Sequence, residues 1–286
     1  MPKQMEIPAE ETMTRFFDYI KQWVKGQPAQ VAYVYNDHYT SYAKFWNEAQ
    51  HFAKFLLQSG VQKGDRLAYI ITPRPEFLIF YLASTMVGAI IVGIDINCEV
   101  EETAYILNHS NSSHILTICS HEDVNYQDYL TEVLKRSPGV EEVWIAGGSA
   151  ELPNAITFQE IMQGDYSAYD QALQDRLEEI SPEDGLVIAY ATDANGGLQG
   201  NSLTQQDVIT EGLIVKDEWL APAGMQPGDH ILLAGPLNHT VYAAELYAAP
   251  MIAGCTEYLF EEYDPIVSPQ LIKKYAIDFI PGELVM

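Results

Sequence analysis

The sequence has few basic residues and a large excess of acidic ones. Of its 286 residues, 15 are Lys or Arg and 40 are Asp or Glu, which gives a formal net charge of −25 at pH 7. From residue 137 to the end, the basic residues are Arg176, Lys216, Lys273 and Lys274. This balance argues against nucleic acid and anionic membrane surfaces as partners. A mild halophilic adaptation would also account for the acidity.

The sequence also lacks the patterns of secretion, membrane insertion and cysteine frameworks. Its longest apolar runs, such as residues 86–94, are interrupted by glycine and are too short to span a bilayer. The first residues show no charged-then-apolar signal pattern. The 3 cysteines, Cys98, Cys119 and Cys255, are scattered and form no Cys-x-x-Cys pair. We therefore expect a cytoplasmic protein with free thiols and without a zinc site.

Short apolar strands alternate with helical patterns along the first half of the chain. Apolar residues follow helical spacing from Tyr42 to Leu57, and Gly60 is placed to end that helix. Strands are expected at 67–71, 89–92, 115–118 and 143–145, with helices at 76–87, 101–108 and 126–136. Helices between short apolar strands predict an α/β fold of doubly wound parallel sheets.

The second half of the chain repeats this pattern with fewer elements. Strands are expected at 185–189, 231–233, 257–260 and 277–280, with helices beginning at 204, 241 and 269. We place a boundary near Ser181-Pro182, so that residues 1–183 form a first α/β subdomain and 184–286 a second, incomplete one. The last strand has no following helix, although parallel strands are usually covered on both faces. We therefore expect a longer chain, a partner that covers the open sheet, or an incomplete copy of a larger protein.

The segment Tyr190-Ala-Thr-Asp-Ala-Asn-Gly-Gly-Leu-Gln-Gly200 lies where a phosphate-binding loop is expected. It follows an apolar strand and precedes the helix that begins at Thr204, and this arrangement presents backbone N–H groups to phosphate. Such loops normally add a lysine, whereas this one carries Asp193, and no Lys or Arg occurs between Arg176 and Lys216. The position indicates a nucleotide site, and the residues indicate a weak or lost one.

Several motifs, in order, resemble the N-terminal half of the acyl-adenylate-forming (AMP-binding) superfamily, which includes the acyl-CoA synthetases. Gly60-Val-Gln-Lys-Gly-Asp-Arg66 is similar to a turn of that family, and Glu101-Glu-Thr-Ala-Tyr-Ile-Leu107 is similar to one of its helices. Pro236-Leu-Asn-His239 resembles its Pro-Leu-Phe-His motif. The resemblance covers nearly all of residues 12–286. It implies a protein of the AMP-dependent synthetase/ligase type with an incomplete large N-terminal domain.

The resemblance also implies a reaction, its cofactors and its site residues. Family members use ATP and Mg²⁺ to convert a small carboxylic acid to an acyl-adenylate, and most then transfer the acyl group to coenzyme A. His239 corresponds to a residue at the mouth of the acyl pocket. The loop keeps Thr192, Asn195, Gly196 and Gly200 as candidate phosphate contacts, and these residues can equally form a tight turn.

The same loop departs from the family pattern at three places that matter for phosphate. Asp193 replaces a glycine, Ala194 a threonine and Gln199 the lysine, so we expect ATP binding to be impaired. No catalytic residue or metal ligand can be assigned, because the family motifs that would supply them come after the end of this sequence. The sequence is therefore not expected to support adenylation.

Three interpretations remain open at this point. The chain is the N-terminal part of an acyl-CoA-synthetase-like protein, as a fragment or as one half of a split enzyme. Alternatively, it is a stand-alone pseudoenzyme that binds an acyl or aryl carboxylate or a partner protein. As a third possibility, it is a diverged enzyme that uses the pocket for other chemistry, since fold alone does not determine function.

Overall fold

The computed structural model describes residues 13–121, 124–149, 151–192, 197–235, 237–238 and 247–280. The helices are α1 Phe16–Gly26, α2 Tyr42–Gln58, α3 Pro75–Val87, α4 Val100–Ser110, α5 Tyr126–Arg136, α6 Phe158–Gln163, α7 Asp170–Glu179, α8 Gln205–Val215, α9 Ala249–Ala253 and α10 Ser268–Tyr275. The strands are β1 Val31–Tyr35, β2 His38–Ser41, β3 Arg66–Ile70, β4 Ile90–Gly93, β5 Ser112–Ile118, β6 Ser120–His121, β7 Val124–Asn125, β8 Glu142–Ala146, β9 Ala155–Thr157, β10 Gly185–Thr192, β11 Leu198–Thr204, β12 His230–Leu233 and β13 Thr256–Leu259. No helix within these ranges has the length and apolarity needed to cross a membrane.

The larger sheet is seven-stranded, and helices cover both of its faces. Its strand order is β11-β10-β4-β3-β5-β8-β9, and all neighbouring strands are parallel except β10 and β11. The side chains of β3 alternate: Leu67 and Tyr69 pack with α2 and α3, while Ala68 and Ile70 pack on the other face with α4 and α5. This is the doubly wound arrangement predicted from the sequence, and the fold class is confirmed.

A smaller sheet joins strands from the two ends of the chain. Its order is β12-β13-β1-β2, in which β1 is parallel to β13 and antiparallel to β2. The β1–β2 turn holds Asn36 and Asp37 at φ angles of 48° and 61°, the left-handed pair that favours a two-residue hairpin. Strands from both sides of residue 184 therefore occur in both sheets, and the boundary between residues 183 and 184 stays a prediction.

The predicted helices on the inner face form for identifiable local reasons. Helix α2 begins after Ser41, whose side-chain oxygen accepts a hydrogen bond from the Lys44 N–H, and it buries the apolar face read from the sequence. Helix α3 has Pro75 in its first turn, is buried at every residue from Phe77 to Val87, and ends at Gly88 with φ of 71°. This helix belongs to the core cluster that also contains buried residues of both sheets.

An ion pair links the two sheets at their carboxyl ends. Glu261 follows β13, and it accepts a hydrogen bond of 2.8 Å from the Thr72 hydroxyl and one from the Tyr35 hydroxyl. The Arg74 guanidinium lies 3.4 Å from the same carboxylate. A Cβ atom at Gly147 would lie only 2.8 Å from Arg74 Nη1, so a larger residue there would displace the guanidinium. Segments after β1, β3, β8 and β13 are thus held together at one end of the molecule.

The predicted strand-loop-helix unit around residue 190 is wrong in one respect. Helix α8 does begin after Thr204, whose side chain forms a capping box with Asp207. However, β11 intervenes between the loop and the helix, and it pairs antiparallel with β10 from Thr192↔Leu198 to Gly185↔Thr204. Backbone pairing to β10 overrides the low strand propensity of these glycine-containing, polar residues. The loop is therefore the turn of a hairpin.

Two further predictions are met only in part by the described residues. Of the strand expected at 277–280, the structure contains a single parallel bridge, between Ile231 and Phe279, with a 3.0 Å hydrogen bond from the Leu232 N–H to the Phe279 carbonyl. Of the helix expected at 241–253, residues 249–253 form α9, and residues 239–246 lie outside the described ranges.

A carboxyl group is buried in the core without a partner. Glu257 on β13 is fully buried between Tyr33 of β1 and Ile231 of β12, and among the described residues neither of its side-chain oxygens has a hydrogen-bond partner. Burial raises the pKa of Glu257 well above its usual value. Burial, with this carboxyl nearby, also raises the pKa of Tyr42 and Tyr247. The carboxyl is therefore held in its protonated form.

We expect replacement of Glu257 with leucine or glutamine to stabilise the fold at neutral pH. An acid whose pKa is raised by folding stabilises the protein only at low pH. That contribution is lost at about 1.4 kcal/mol per pH unit as the pH rises from the unfolded pKa towards the folded one. Urea unfolding midpoints measured from acidic to neutral pH should therefore fall more steeply for the wild type than for E257L or E257Q. The exposed Glu178→Gln substitution is the control, and equal slopes for wild type and variants would contradict the assignment.

Candidate functional site

The hairpin of β10 and β11 lies at the carboxyl end of the larger sheet. Strand β10 is parallel to β4, with Ala189 opposite Gly93, so residues 190–192 extend past the end of β4. In open α/β sheets, ligands bind at this edge. Of the candidate phosphate contacts, Thr192 ends β10, Asn195 and Gly196 lie outside the described residues, and Gly200 lies within β11.

The surroundings of Gly200 give this residue a packing role. It pairs with Tyr190 across the hairpin, and a Cβ atom at Gly200 would lie 3.1 Å from both Tyr190 Cζ and Ile188 Cγ2. The tyrosine ring therefore lies against the glycine, and a larger side chain would require the ring or Ile188 to shift by a few tenths of an ångström. Gln199, which stands where the family has lysine, is exposed opposite Ala191.

An open cleft of about 430 Å³ lies between this hairpin and helix α4. It is lined by Gly93, Asp95, Asn97, Cys98, Glu102, Ile106, Tyr190, Ala191, Leu198 and Asn238. These lining residues include two carboxylates and no lysine or arginine. The carboxylates enter from the segment after β4 and from the first turn of α4, while Ile106, Tyr190 and Leu198 form a partly apolar wall. A polyanion would meet like charge in this cleft.

The pKa of the Cys98 thiol reflects the burial and the negative charge of the cleft. Burial, together with the nearby carboxylates of Glu102 and Asp95, raises the pKa of Cys98 to about 12. An anion at this position is therefore disfavoured both by desolvation and by like charge. Asp95 itself accepts a hydrogen bond of 2.7 Å from the Asn97 N–H, which orders the loop that carries these groups.

One wall of the cleft comes from the segment that follows β12. The Tyr69 hydroxyl, buried in the core, donates a 2.6 Å hydrogen bond to the Leu237 carbonyl. A Cβ atom at Gly93 would lie 2.7 Å from both Asn238 Cα and the Tyr69 hydroxyl oxygen. Strand β4 can approach this segment so closely only because residue 93 is glycine. The same segment leads to His239, the predicted acyl-pocket residue, which lies outside the described residues.

The sequence prediction missed the carboxylates that line the cleft. Neither residue was predicted to belong to the site, because each has an ordinary structural explanation. Asp95 fits a turn, and Glu102 fits the acidic first turn of a helix. Asp95 follows a buried strand, and residues at that position of an open parallel sheet face the ligand site. That signal was in the sequence, but its use required knowing that β4 lies beside β10. The described residues contain no group of three or more His, Cys, Asp or Glu side chains placed to hold a metal ion.

Comparisons with known proteins agree on a family. The family model described as AMP-binding enzyme matches residues 20–282. The medium-chain fatty-acid–CoA ligase of Escherichia coli strain K12 is 20% identical over 250 residues, which are 87% of this chain and 42% of that protein. The crotonobetaine/carnitine–CoA ligase of Citrobacter koseri is 24% identical over 236 residues, 82% of this chain and 43% of that protein. The chain thus spans less than half the length of these two relatives.

Solved structures share the fold at low sequence identity. The apo structure of MbtA from Mycobacterium smegmatis superposes with a TM-score of 0.76 at 18% identity, covering 92% of this chain and 47% of that chain. The anthranilate CoA ligase AuaEII, solved with anthranoyl-AMP, superposes with a TM-score of 0.75 at 16% identity, covering 93% and 49%. At these identities the likeness concerns the fold alone.

We expect Gly93→Ala to lower the free energy of unfolding by about 1–3 kcal/mol, because the added methyl group would overlap the Asn238 backbone and the Tyr69 hydroxyl. Tyr69→Phe should cost a similar amount, about 1–3 kcal/mol, since it leaves the buried Leu237 carbonyl without its donor. Gly139→Ala is the matched control, because nothing lies within 4 Å of a Cβ atom there. Urea unfolding is the measurement, and a Gly93→Ala variant as stable as the control would contradict this packing.

We also expect Cys98 to react slowly with thiol reagents at neutral pH, because its pKa of about 12 leaves little thiolate. Replacing Glu102 with glutamine, or Asp95 with asparagine, should lower that pKa and speed the reaction. The rate is followed on a protein whose other cysteines are changed to serine, with Glu178→Gln as a distant charge control. Rates that do not respond to either cleft substitution would show that the carboxylates do not act on the thiol.

Proposed function

The chain belongs to the AMP-binding enzyme family, and from this premise we propose that it is an acyl-CoA-synthetase-like protein that does not form acyl-adenylates by itself. The observation that carries the proposal is the cleft beside the hairpin, whose described lining residues include Asp95 and Glu102 and no lysine or arginine. The family chemistry places ATP phosphates and Mg²⁺ beside this loop. The residues present therefore do not fit a triphosphate.

The expected loss of ATP affinity can be estimated from the phosphate-binding groups that the loop lacks. Charge-assisted hydrogen bonds to phosphate contribute roughly 1.5–3 kcal/mol each, and the loss of two would weaken binding by about two to four orders of magnitude. A carboxylate about 4 Å from a phosphate charge adds a repulsion of about 1–4 kcal/mol, depending on how far water screens the pair. Gln199 can donate a hydrogen bond but carries no charge. Each of these effects acts against nucleotide binding.

The remaining features of the cleft support a second candidate function, that of a pseudoenzyme that binds a ligand without ATP. Ile106, Tyr190 and Leu198 offer apolar surface, while Asn97 and Asn238 offer amide groups. An acyl or aryl ligand would place its apolar part here and keep its own carboxylate away from Asp95 and Glu102. A partner protein that covers the open sheet belongs to this second candidate, whereas coenzyme A and a C-terminal half belong to the main proposal. A cytoplasmic location is proposed for both.

Pyrophosphate exchange with a panel of fatty and aryl acids tests the main proposal. We expect no exchange above background for the wild-type chain, and no saturable binding of ATP with Mg²⁺ in calorimetry. D95N/E102Q should bind ATP more tightly than the wild type, because it removes two negative charges from the cleft. Exchange by the wild type at rates near those of an active relative would overturn the proposal.

A repaired chimera tests whether the loop is the main defect. Asp193→Gly, Ala194→Thr and Gln199→Lys are combined in a chain fused to the C-terminal part of an active relative, and the same fusion with the native loop is the control. We expect pyrophosphate exchange from the repaired fusion and not from the control. A repaired fusion that is well folded by circular dichroism and shows no exchange would contradict this assignment.

A further inference from the structure

Strand β11 forms one edge of the larger sheet, and within the described part of the chain no strand pairs with its outer side. Residues 199–202 are exposed along this edge. A strand in this position presents a row of backbone N–H and C=O groups to solvent, and such a row is a template for pairing with another strand. The edge is as long as the strand, seven residues from Leu198 to Thr204.

This edge has none of the usual protection against pairing. Exposed edge strands commonly carry lysine, other charges or proline, which prevent a second strand from adding. Here residues 194–206 contain no charged residue and no proline, although the whole chain has a net charge of −25. The uncharged stretch is bounded by Asp193 and Asp207 and coincides with the exposed strand. Residues 194–206 are therefore uncharged within a chain that is strongly acidic overall.

We propose that β11 pairs antiparallel with β11 of a second copy of this chain and so joins the two larger sheets across a twofold axis. With the axis at Asn201, Gln199 of one copy lies opposite Leu203 of the other, and Gly200 lies opposite Ser202. No like charges face each other in this register, so the contact is self-complementary. A second copy presents the same uncharged edge, although the chain as a whole has a net charge of −25.

The dimer is expected to be weak and to depend on salt. A single seven-residue ladder with small polar side chains buries little apolar surface, which corresponds to dissociation constants of about 1 μM to 1 mM. Each copy carries a net charge of −25, and repulsion between the copies outside the seam is screened as ionic strength rises. Added salt should therefore favour the dimer, which is opposite to its effect on an ion-paired interface.

Sedimentation velocity over a series of protein concentrations tests the proposal. The wild type should dimerise, with tighter association at about 0.5 M salt than at about 0.05 M. Asn201→Lys and Ser202→Lys place like charges at or beside the twofold axis and should each weaken the dimer by about tenfold. Gln171→Lys makes the same charge change at an exposed position on α7 and should dimerise at least as well as the wild type.

Amide hydrogen exchange then locates the seam. The proposal expects protection to increase with protein concentration within residues 198–204 and to be absent in Asn201→Lys. A wild type that is monomeric at all concentrations would overturn it, and so would a dimer that survives both lysine substitutions without protection in β11. Neither readout uses ATP or an acid substrate, so the outcome is independent of the proposed function.

Discussion

The burial of helix α3 in the core shared by the two sheets is the constraint on which the rest of the fold depends. Every residue from Phe77 to Val87 is buried, and each large apolar side chain contributes about 1.5–3 kcal/mol relative to exposure. Helix α3 has no solvent-facing side, and its Ser84 and Thr85 hydroxyls donate to the Phe80 and Leu82 carbonyls of the same helix. The rings of Tyr81 and Tyr247 pack edge to face with their centroids 4.2 Å apart, which joins α3 to the segment just before α9.

The segments that leave the carboxyl ends of the two sheets meet in defined positions beside this core. The Arg74–Glu261 pair closes one side, and the Tyr69–Leu237 hydrogen bond closes the other. The cleft beside the β10–β11 hairpin forms where the chain after β4 and the chain after β12 come within van der Waals distance at Gly93. The position of the cleft is therefore set by the core, while its acidic character is set by Asp95 and Glu102.

The sequence predicted the parts of the fold that are periodic and apolar. The amphipathic pattern of α2 and the apolar run of α3 specify their elements locally, so these were found with nearly correct limits. Strand β11 was missed because its residues favour a loop, and only pairing to β10 makes them a strand. The β1–β2 hairpin was missed although Asn36-Asp37 is a hairpin signal. The candidate site was predicted from the loop and stays a prediction, whereas Asp95 and Glu102 could be named only from the order of strands in the sheet, which no local pattern contains.

The position of Gly200 under the Tyr190 ring has a consequence for how this chain can evolve. A glycine inherited with a phosphate-binding motif is usually taken as a trace of that chemistry. Here the close approach of the Tyr190 ring is a second reason, independent of any nucleotide, that favours glycine at residue 200. In a relative with a small residue at position 190, this contact would no longer favour glycine at position 200. A residue of a lost motif can thus be retained after the activity is gone, because a neighbouring side chain packs against it.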